Sequence, residues 1–164
     1  METRRKSISR RHARGLAAAL TLIMLVGLNG CATWRSLCAP RPLSPSESLN
    51  LGVSYERGGH LDLALREYER AATGATKSIA LTYQGNIHAT RNEVSVAERK
   101  YRAALTVDPD NVMALNNLAW LLAQNAGSLE EAESLIRHAL ERNPEPREPF
   151  EHTLKTIREA RGDP

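Results

Sequence analysis

The sequence repeats itself three times, with 33 and then 34 residues between equivalent positions. Each copy has a small residue, an alanine 12 or 13 positions later, a Tyr or Ile four positions after that, and a second alanine three positions further on. These anchor positions are Gly52, Ala64, Tyr68 and Ala71 in the first copy, Gly85, Ala97, Tyr101 and Ala104 in the second, and Ala119, Ala132, Ile136 and Ala139 in the third. A unit of this length cannot bury an apolar face alone, so the copies must stack to form a continuous core.

This spacing resembles the tetratricopeptide repeat (TPR), a pair of helices with the anchors W-x2-L-G-x2-Y, A-x3-F and P. The resemblance covers about 46–144, although the first copy has Thr76 and Lys77 where the closing Pro is expected. The second copy has His88 where Tyr or Leu is usual, and we expect His88 to be a packed, hydrogen-bonded core residue. The implied packing is that small anchors let helices approach closely, while the Tyr and Ile anchors fill the space between helix pairs.

We therefore expect an all-α solenoid of TPR-type helical hairpins. Ser44 and Glu47 predict a capping box with Pro45 at the first helical position, and Ser128 with Glu131 predicts a second one. The predicted domain spans 45–164, with repeats near 45–77, 78–111 and 112–146. The predicted helices are 45–57, 61–73, 77–90, 93–107, 111–124 and 128–142, followed by a capping helix at 149–161.

The first 30 residues have the layout of a secretory signal. Six basic side chains within 1–14 precede an uncharged, mostly apolar stretch over 15–28. The sequence L-N-G-C at 28–31 resembles the lipobox of bacterial lipoproteins, although Asn29 stands where Ala or Ser is commoner. The resemblance implies removal of residues 1–30 and attachment of lipid to Cys31, and more than one acyl chain gives stable anchoring.

The residues after the lipobox suggest where the chain resides and leave alternatives open. In lipoproteins of two-membrane bacteria, a residue other than Asp after the cysteine, here Ala32, implies an outer-membrane location facing the periplasm. Residues 31–44 are predicted to form a tether that contains prolines. The alternative is an uncleaved membrane-spanning helix over 15–34. Cys38 has no partner in its own chain if Cys31 is acylated, and otherwise the two cysteines could form a small disulfide loop.

The basic charge of the whole chain comes from its first segment. The full sequence has a net charge of +3 and an isoelectric point near 9.1. Residues 1–30 carry six basic side chains and one acidic one, a net charge of +5. Residues 31–164 carry 16 basic and 18 acidic side chains, a net charge of −2. The processed chain would thus be slightly acidic, which argues against a nucleic-acid partner.

The sequence contains no pattern typical of an enzyme. It lacks the phosphate-binding G-x-x-x-x-G-K-[ST], the dinucleotide-binding G-x-G-x-x-G and the zinc-binding H-E-x-x-H motifs. The two cysteines are far from any histidine in the sequence, and their spacing does not match that of a zinc site. The four histidines outside the signal fall in different structural units, and they are His60, His88, His138 and His152. We expect no catalysis, no metal and no cofactor apart from the lipid on Cys31.

The TPR resemblance implies a concave groove lined by the first helix of each pair. Transferring its positions to this sequence gives Leu49, Val53 and Glu56 from the first copy, Thr82, Asn86 and Ala89 from the second, and Asn116, Trp120 and Ala123 from the third, flanked by Asn50 and Asn117. None is Lys or Arg, which argues against the carboxylate clamp that grips acidic C-termini in some members of the family. Trp120 has two interpretations: an anchor for a bound segment, or a core residue packed against the capping helix.

These observations predict a non-catalytic adaptor that is anchored in a bacterial envelope by lipid. Its groove would bind a peptide or helix of another envelope protein, and it would serve as an assembly or localisation factor. One alternative is a structural envelope protein whose repeats self-associate, because a three-repeat stack has open ends. A less favoured alternative is an enzyme whose site the sequence does not reveal.

Overall fold

A computed structural model describes residues 41–125, 128–142 and 148–162. Within these ranges the chain is helical without strands, and it forms one compact unit assigned to Leu43–Pro164. The α-helices are α1 (Pro45–Arg57), α2 (Leu61–Ala71), α3 (Lys77–Thr90), α4 (Val94–Val107), α5 (Val112–Gln124), α6 (Leu129–Arg142) and α7 (Glu148–Arg161), with a 3-10 turn at Gly74–Thr76.

All seven predicted helices are present, and their ends differ from the predicted ones by at most two residues. This confirms the all-α prediction. The predicted signal at 1–30, the predicted lipid attachment at Cys31, and Pro144, where the third copy has the closing Pro of the repeat pattern, lie outside the described residues. Among the helices that the structure does describe, none has the length and apolar character needed to cross a membrane.

The helices form three successive hairpins and a terminal helix. Helix α1 pairs with α2, α3 with α4, and α5 with α6. Each second helix also contacts the first helix of the next hairpin, and α7 packs against both α5 and α6. The molecule is therefore a helical-repeat solenoid in which α7 covers the last hairpin, as the repeat pattern predicts.

Local capping explains where the helices begin. The Ser44 hydroxyl accepts a hydrogen bond from the Glu47 backbone N–H at 3.2 Å, while the Glu47 carboxylate accepts one from the Ser44 N–H at 2.7 Å. This is the first predicted capping box. The second is only half formed: Ser128 Oγ accepts from the Glu131 N–H at 3.2 Å, but the Glu131 carboxylate instead accepts from Arg102 of α4. The guanidinium draws that carboxylate away from the helix start.

The small and aromatic anchors pack against each other within one hairpin. A Cβ atom added to Gly85 would overlap the ring of Tyr101, and one added to Gly52 would overlap the ring of Tyr68. Each ring lies on the glycine of its own hairpin and also contacts the next hairpin, where Tyr68 stacks on Tyr83 and Tyr101 shares an apolar cluster with Leu118. This agrees with the expectation that the tyrosines fill the space between hairpins. The ring needs a helix surface without a side chain, and only glycine provides one.

The third hairpin uses a different pair at the same positions. Ala119 replaces the glycine and Ile136 replaces the tyrosine, and both side chains are buried in one apolar cluster. A branched aliphatic side chain reaches less far than a phenol ring, so it leaves room for the alanine methyl group. The two substitutions compensate each other in volume.

Two apolar clusters form the core. The larger one joins the second and third hairpins to α7 through residues such as Tyr101, Leu118 and Phe150. The smaller one joins the first hairpin to Ile87 of α3. The ring of Tyr68 stacks on that of Tyr83 with centroids 5.1 Å apart, which connects the first hairpin to the second.

We predict that Gly85→Ala destabilises the protein by about 1–3 kcal/mol, because the methyl group collides with the Tyr101 ring. The gain of about 1 kcal/mol in helix propensity does not offset this collision. Adding Tyr101→Ile recreates the pair of the third hairpin, so the double variant loses less stability than the sum of the two single variants. Urea unfolding of all four proteins measures this coupling. Strict additivity would contradict the packing described here.

Candidate functional site

A single amide oxygen connects three helices of the second and third hairpins. Oδ1 of Asn86, on α3, accepts a hydrogen bond from the Tyr101 hydroxyl of α4 at 2.9 Å. The same oxygen accepts a second one from Nδ2 of Asn117, on α5, at 2.7 Å. Burial raises the pKa of Tyr101 to about 12, so its hydroxyl keeps its proton and remains a donor at neutral pH. These bonds fix the orientation of the Asn86 side chain.

The fixed asparagine lines an open pocket of about 250 Å³ that we call the amide pocket. It is lined by Asn86, Ala89, Thr90, Tyr101, Asn117 and Trp120. Both hydrogen bonds to the Asn86 side chain use its oxygen, and within the described residues nothing accepts from its Nδ2 group. An amide group carries two N–H donors on that nitrogen. Asn86 therefore has unused hydrogen-bond donors and lines the same pocket as Trp120.

Four of the eleven predicted lining residues meet at the amide pocket: Asn86, Ala89, Asn117 and Trp120. Trp120 is half-buried and is not a member of either core cluster. Its indole therefore lines a surface accessible to a ligand, which favours the first of its two interpretations.

The predicted residues of the first hairpin lie apart from this pocket. Leu49 and Val53 are half-buried against the smaller core cluster. The Glu56 carboxylate accepts a hydrogen bond from the Tyr68 hydroxyl, which holds it against α2. Asn50 is exposed on α1. The first hairpin thus forms a separate surface with both apolar and polar side chains.

Three predicted lining residues are engaged by neighbouring helices. Thr82 is fully buried. Asn111, at the start of α5, donates a hydrogen bond from its Nδ2 to the Thr82 hydroxyl at 3.1 Å. Ala123 is buried in the cluster that α7 completes. Asn116 accepts a hydrogen bond from the Thr153 hydroxyl of α7 at 2.8 Å. The prediction that Thr82 and Ala123 line an open groove is therefore wrong. The start of α5 covers Thr82, and α7 covers Ala123.

The repeat anchors do not predict two exposed apolar residues on α3 and α5, the helices that carry Asn86 and Trp120. Ile79 and Met113 are 42% and 43% exposed. They precede Asn86 and Trp120 by seven residues, which places each pair on one side of its helix. Their own spacing of 34 residues equals the repeat period at this point, and this signal could have identified them.

The histidines and carboxylates of the described residues do not form a metal-binding cluster. No group of three or more His, Cys, Asp and Glu side chains there could hold a metal ion. His88 is half-buried rather than a core residue, and its Nδ1 pairs with the Glu93 carboxylate. Nε2 of His138 lies 3.0 Å from Asp110 on an exposed surface. These histidines are used in local surface contacts.

Comparisons with known proteins agree with this architecture. Residues 83–145 match the sequence profile of the tetratricopeptide repeat. The first TPR domain of Spaghetti (RPAP3), solved with the HSP90 peptide SRMEEVD, is similar to this chain with a TM-score of 0.64 at 19% identity, covering 73% of this chain and 96% of that one. A TPR protein from Parabacteroides merdae ATCC 43184 has the same TM-score at 24% identity, and the match covers 78% of this chain and half of that one.

No curated protein matches the sequence. The two solved structures share the fold at low identity, and the profile match covers the second and third hairpins from residue 83 onward. The TPR fold is generally used for protein interaction rather than for catalysis. The chain is therefore a helical solenoid built from TPR-like repeats.

Proposed function

We propose that this protein is a non-catalytic adaptor that binds an extended segment of a partner protein at the amide pocket. The observation that carries the proposal is the Asn86 side chain, whose oxygen is held by Tyr101 and Asn117 while its Nδ2 donors stay available beside Trp120. A positioned donor next to an aromatic surface suits recognition of a main-chain carbonyl together with a neighbouring apolar side chain.

The residues around the pocket further restrict the kind of peptide segment that would bind. Ile79 and Met113 offer exposed apolar contacts on the same two helices. The peptide bound by the Spaghetti domain is acidic at its C-terminus. In this chain none of the predicted lining positions is Lys or Arg, so an acidic C-terminus would find no matching charge. A mixed segment with apolar side chains and a free main-chain carbonyl fits better.

The binding surface can be located by photo-crosslinking in cells. A photoreactive amino acid in place of Met113 lies on the pocket side of α5, whereas one in place of Arg99 lies at an exposed position of the second helix α4. We expect a discrete partner adduct from position 113 and much less from position 99. Equal adducts from the two positions would contradict a binding surface at the amide pocket.

Asn86→Asp tests the donor itself. The aspartate keeps an oxygen to accept from Tyr101 and Asn117, but it loses both N–H donors and places a negative charge against a carbonyl ligand. We expect the adduct from position 113 to fall roughly tenfold or more, since a lost hydrogen bond to a buried group costs about 1–3 kcal/mol. The melting temperature should change by only a few degrees.

Asn92→Asp is the matched control for this variant. Asn92 is exposed in the turn after α3 with a φ of 59°, a conformation that both Asn and Asp tolerate. It makes the same amide-to-acid change outside the pocket lining, so the adduct yield should stay at the wild-type level. A similar loss in both variants would assign the effect to charge in general and refute the role of the Asn86 donor.

We further propose that lipid on Cys31 anchors the adaptor in a bacterial envelope, on the outer membrane facing the periplasm. The support is the sequence: a basic segment, a short apolar stretch, the lipobox-like residues at 28–31 and Ala32 after the cysteine. Two or more acyl chains hold a protein stably at a membrane. The partner would then be another envelope protein.

Cys31→Ala should leave an unprocessed precursor, because the lipoprotein signal peptidase acts only after the cysteine is acylated. Electrophoretic mobility and labelling with a radioactive or clickable fatty acid measure processing and acylation. Cys38→Ala is the control and should be processed and labelled like the wild type. A mature-sized product from Cys31→Ala would overturn the anchor and leave the binding proposal untouched.

A further inference from the structure

A second pocket, of about 410 Å³, lies where α7 meets α6, and we call it the terminal pocket. Its lining residues are Leu140, Phe150, Glu151, Leu154 and Arg158. Phe150 is buried, whereas Leu140 and Leu154 are half-buried and form an apolar surface on the last described helix pair. The charged residues Glu151 and Arg158 are exposed beside it. No described helix packs over this surface.

Leu154 shows that the surface is not shaped for one more standard hairpin. Counting by the repeat, Gly52, Gly85, Ala119 and Leu154 are equivalent, with intervals of 33, 34 and 35 residues. At the first two of these positions, the first helix receives a tyrosine ring from its own second helix. Leucine fills that space with its own side chain, so a second helix could not approach α7 as closely. The apolar surface therefore suits a different occupant.

The charges beside the pocket complement each other across a two-fold axis. Glu151 and Arg158 are seven residues apart, two helical turns, with Leu154 between them on the same side of α7. Neither makes an ion pair within the described residues. When two copies of α7 run antiparallel with the axis next to Leu154, each Glu151 lies opposite Arg158 of the other copy. One surface thus carries both halves of a self-complementary contact.

We propose that the terminal pocket is a homodimer interface, in which two copies pair through antiparallel α7 helices. Leu140 and Leu154 of the two copies cover each other, and two Glu151–Arg158 pairs flank this apolar centre. Charge pairs at the edge of an apolar contact set orientation and exclude wrong pairings. This interface goes beyond the adaptor function and uses none of the residues of the amide pocket, so a dimer would present two such pockets.

Charge reversal tests the interface in the full chain, purified in detergent and studied by sedimentation equilibrium over a concentration series. We expect a concentration-dependent dimer for the wild type. Glu151→Arg alone and Arg158→Glu alone should each raise the dimer dissociation constant roughly tenfold or more, because like charges then face each other at both ends of the contact. The variant that carries both reversals should dimerise like the wild type.

Mixing the two single variants gives a sharper result. The chain with Glu151→Arg has two arginines at these positions and the chain with Arg158→Glu has two glutamates, so the mixture should form heterodimers although neither variant pairs with itself. This recovery also shows that both variants are folded. Arg99→Glu makes the same charge change as Arg158→Glu at an exposed position of α4, and it should leave the dimer unchanged.

Three results would overturn the proposal. A wild-type chain that stays monomeric throughout the series has no such interface. A dimer that is insensitive to both reversals uses another surface. Loss of the dimer in both single variants without recovery in the mixture would show that the charges do not pair between copies. None of these outcomes bears on binding at the amide pocket, which the crosslinks from position 113 test separately.

Discussion

The contact of the Tyr101 ring with Gly85 is the interaction on which both the fold and the candidate site depend. It closes the second hairpin, because the ring fills the surface that glycine leaves free on α3. The same side chain then extends its hydroxyl to Asn86, the residue next to that glycine. Core packing and site geometry are thus set by one tyrosine. This explains how a repeat protein can hold a polar group in a defined orientation.

The three hairpins show how the same anchor can lead to different surfaces. In the first hairpin, Tyr68 lies on Gly52 and its hydroxyl donates to Glu56 rather than to an asparagine. In the third, Ile136 carries no hydroxyl. Only the second hairpin therefore combines a ring, a hydroxyl and an amide, and the neighbouring α5 adds Asn117 and Trp120 to it.

Exposed ion pairs connect the second helices α4 and α6 and join α6 to α7. Arg102 of α4 pairs with Glu131 of α6, and Glu133 of α6 accepts from Arg161 of α7 at 2.9 Å. The Arg102 guanidinium lowers the pKa of Glu131, and Arg161 lowers that of Glu133. Such exposed pairs add little stability, but they favour the observed register between hairpins.

Much of the fold could be predicted from the sequence because its determinants are local or periodic. Helix ends follow from caps such as Ser44, and hairpin positions follow from the small anchors at a fixed period. The burial of Thr82 and Ala123 was not predictable in this way, since it depends on which side chains the next hairpin and α7 place over them.

Only part of the candidate site could be predicted, because some of its features come from the repeat and others from contacts between copies. Asn86 and Trp120 follow from their positions in the repeat, whereas the shared oxygen that fixes Asn86 is a three-helix contact that no single copy encodes. Ile79 and Met113 lie at repeat-equivalent positions, but the anchors of the pattern do not include them. Periodicity therefore locates a surface, and contacts between copies determine its chemistry.

The most direct test of this account is the crosslink yield from position 113 in Tyr101→Phe. This variant keeps the ring on Gly85 but removes the hydroxyl that holds Asn86. We expect the free energy of unfolding to change by only about 1 kcal/mol. The partner adduct should fall several-fold, because Asn86 loses one of the two hydrogen bonds that orient its donors. A wild-type yield from a folded Tyr101→Phe protein would contradict the claim that one tyrosine sets both the hairpin packing and the binding site.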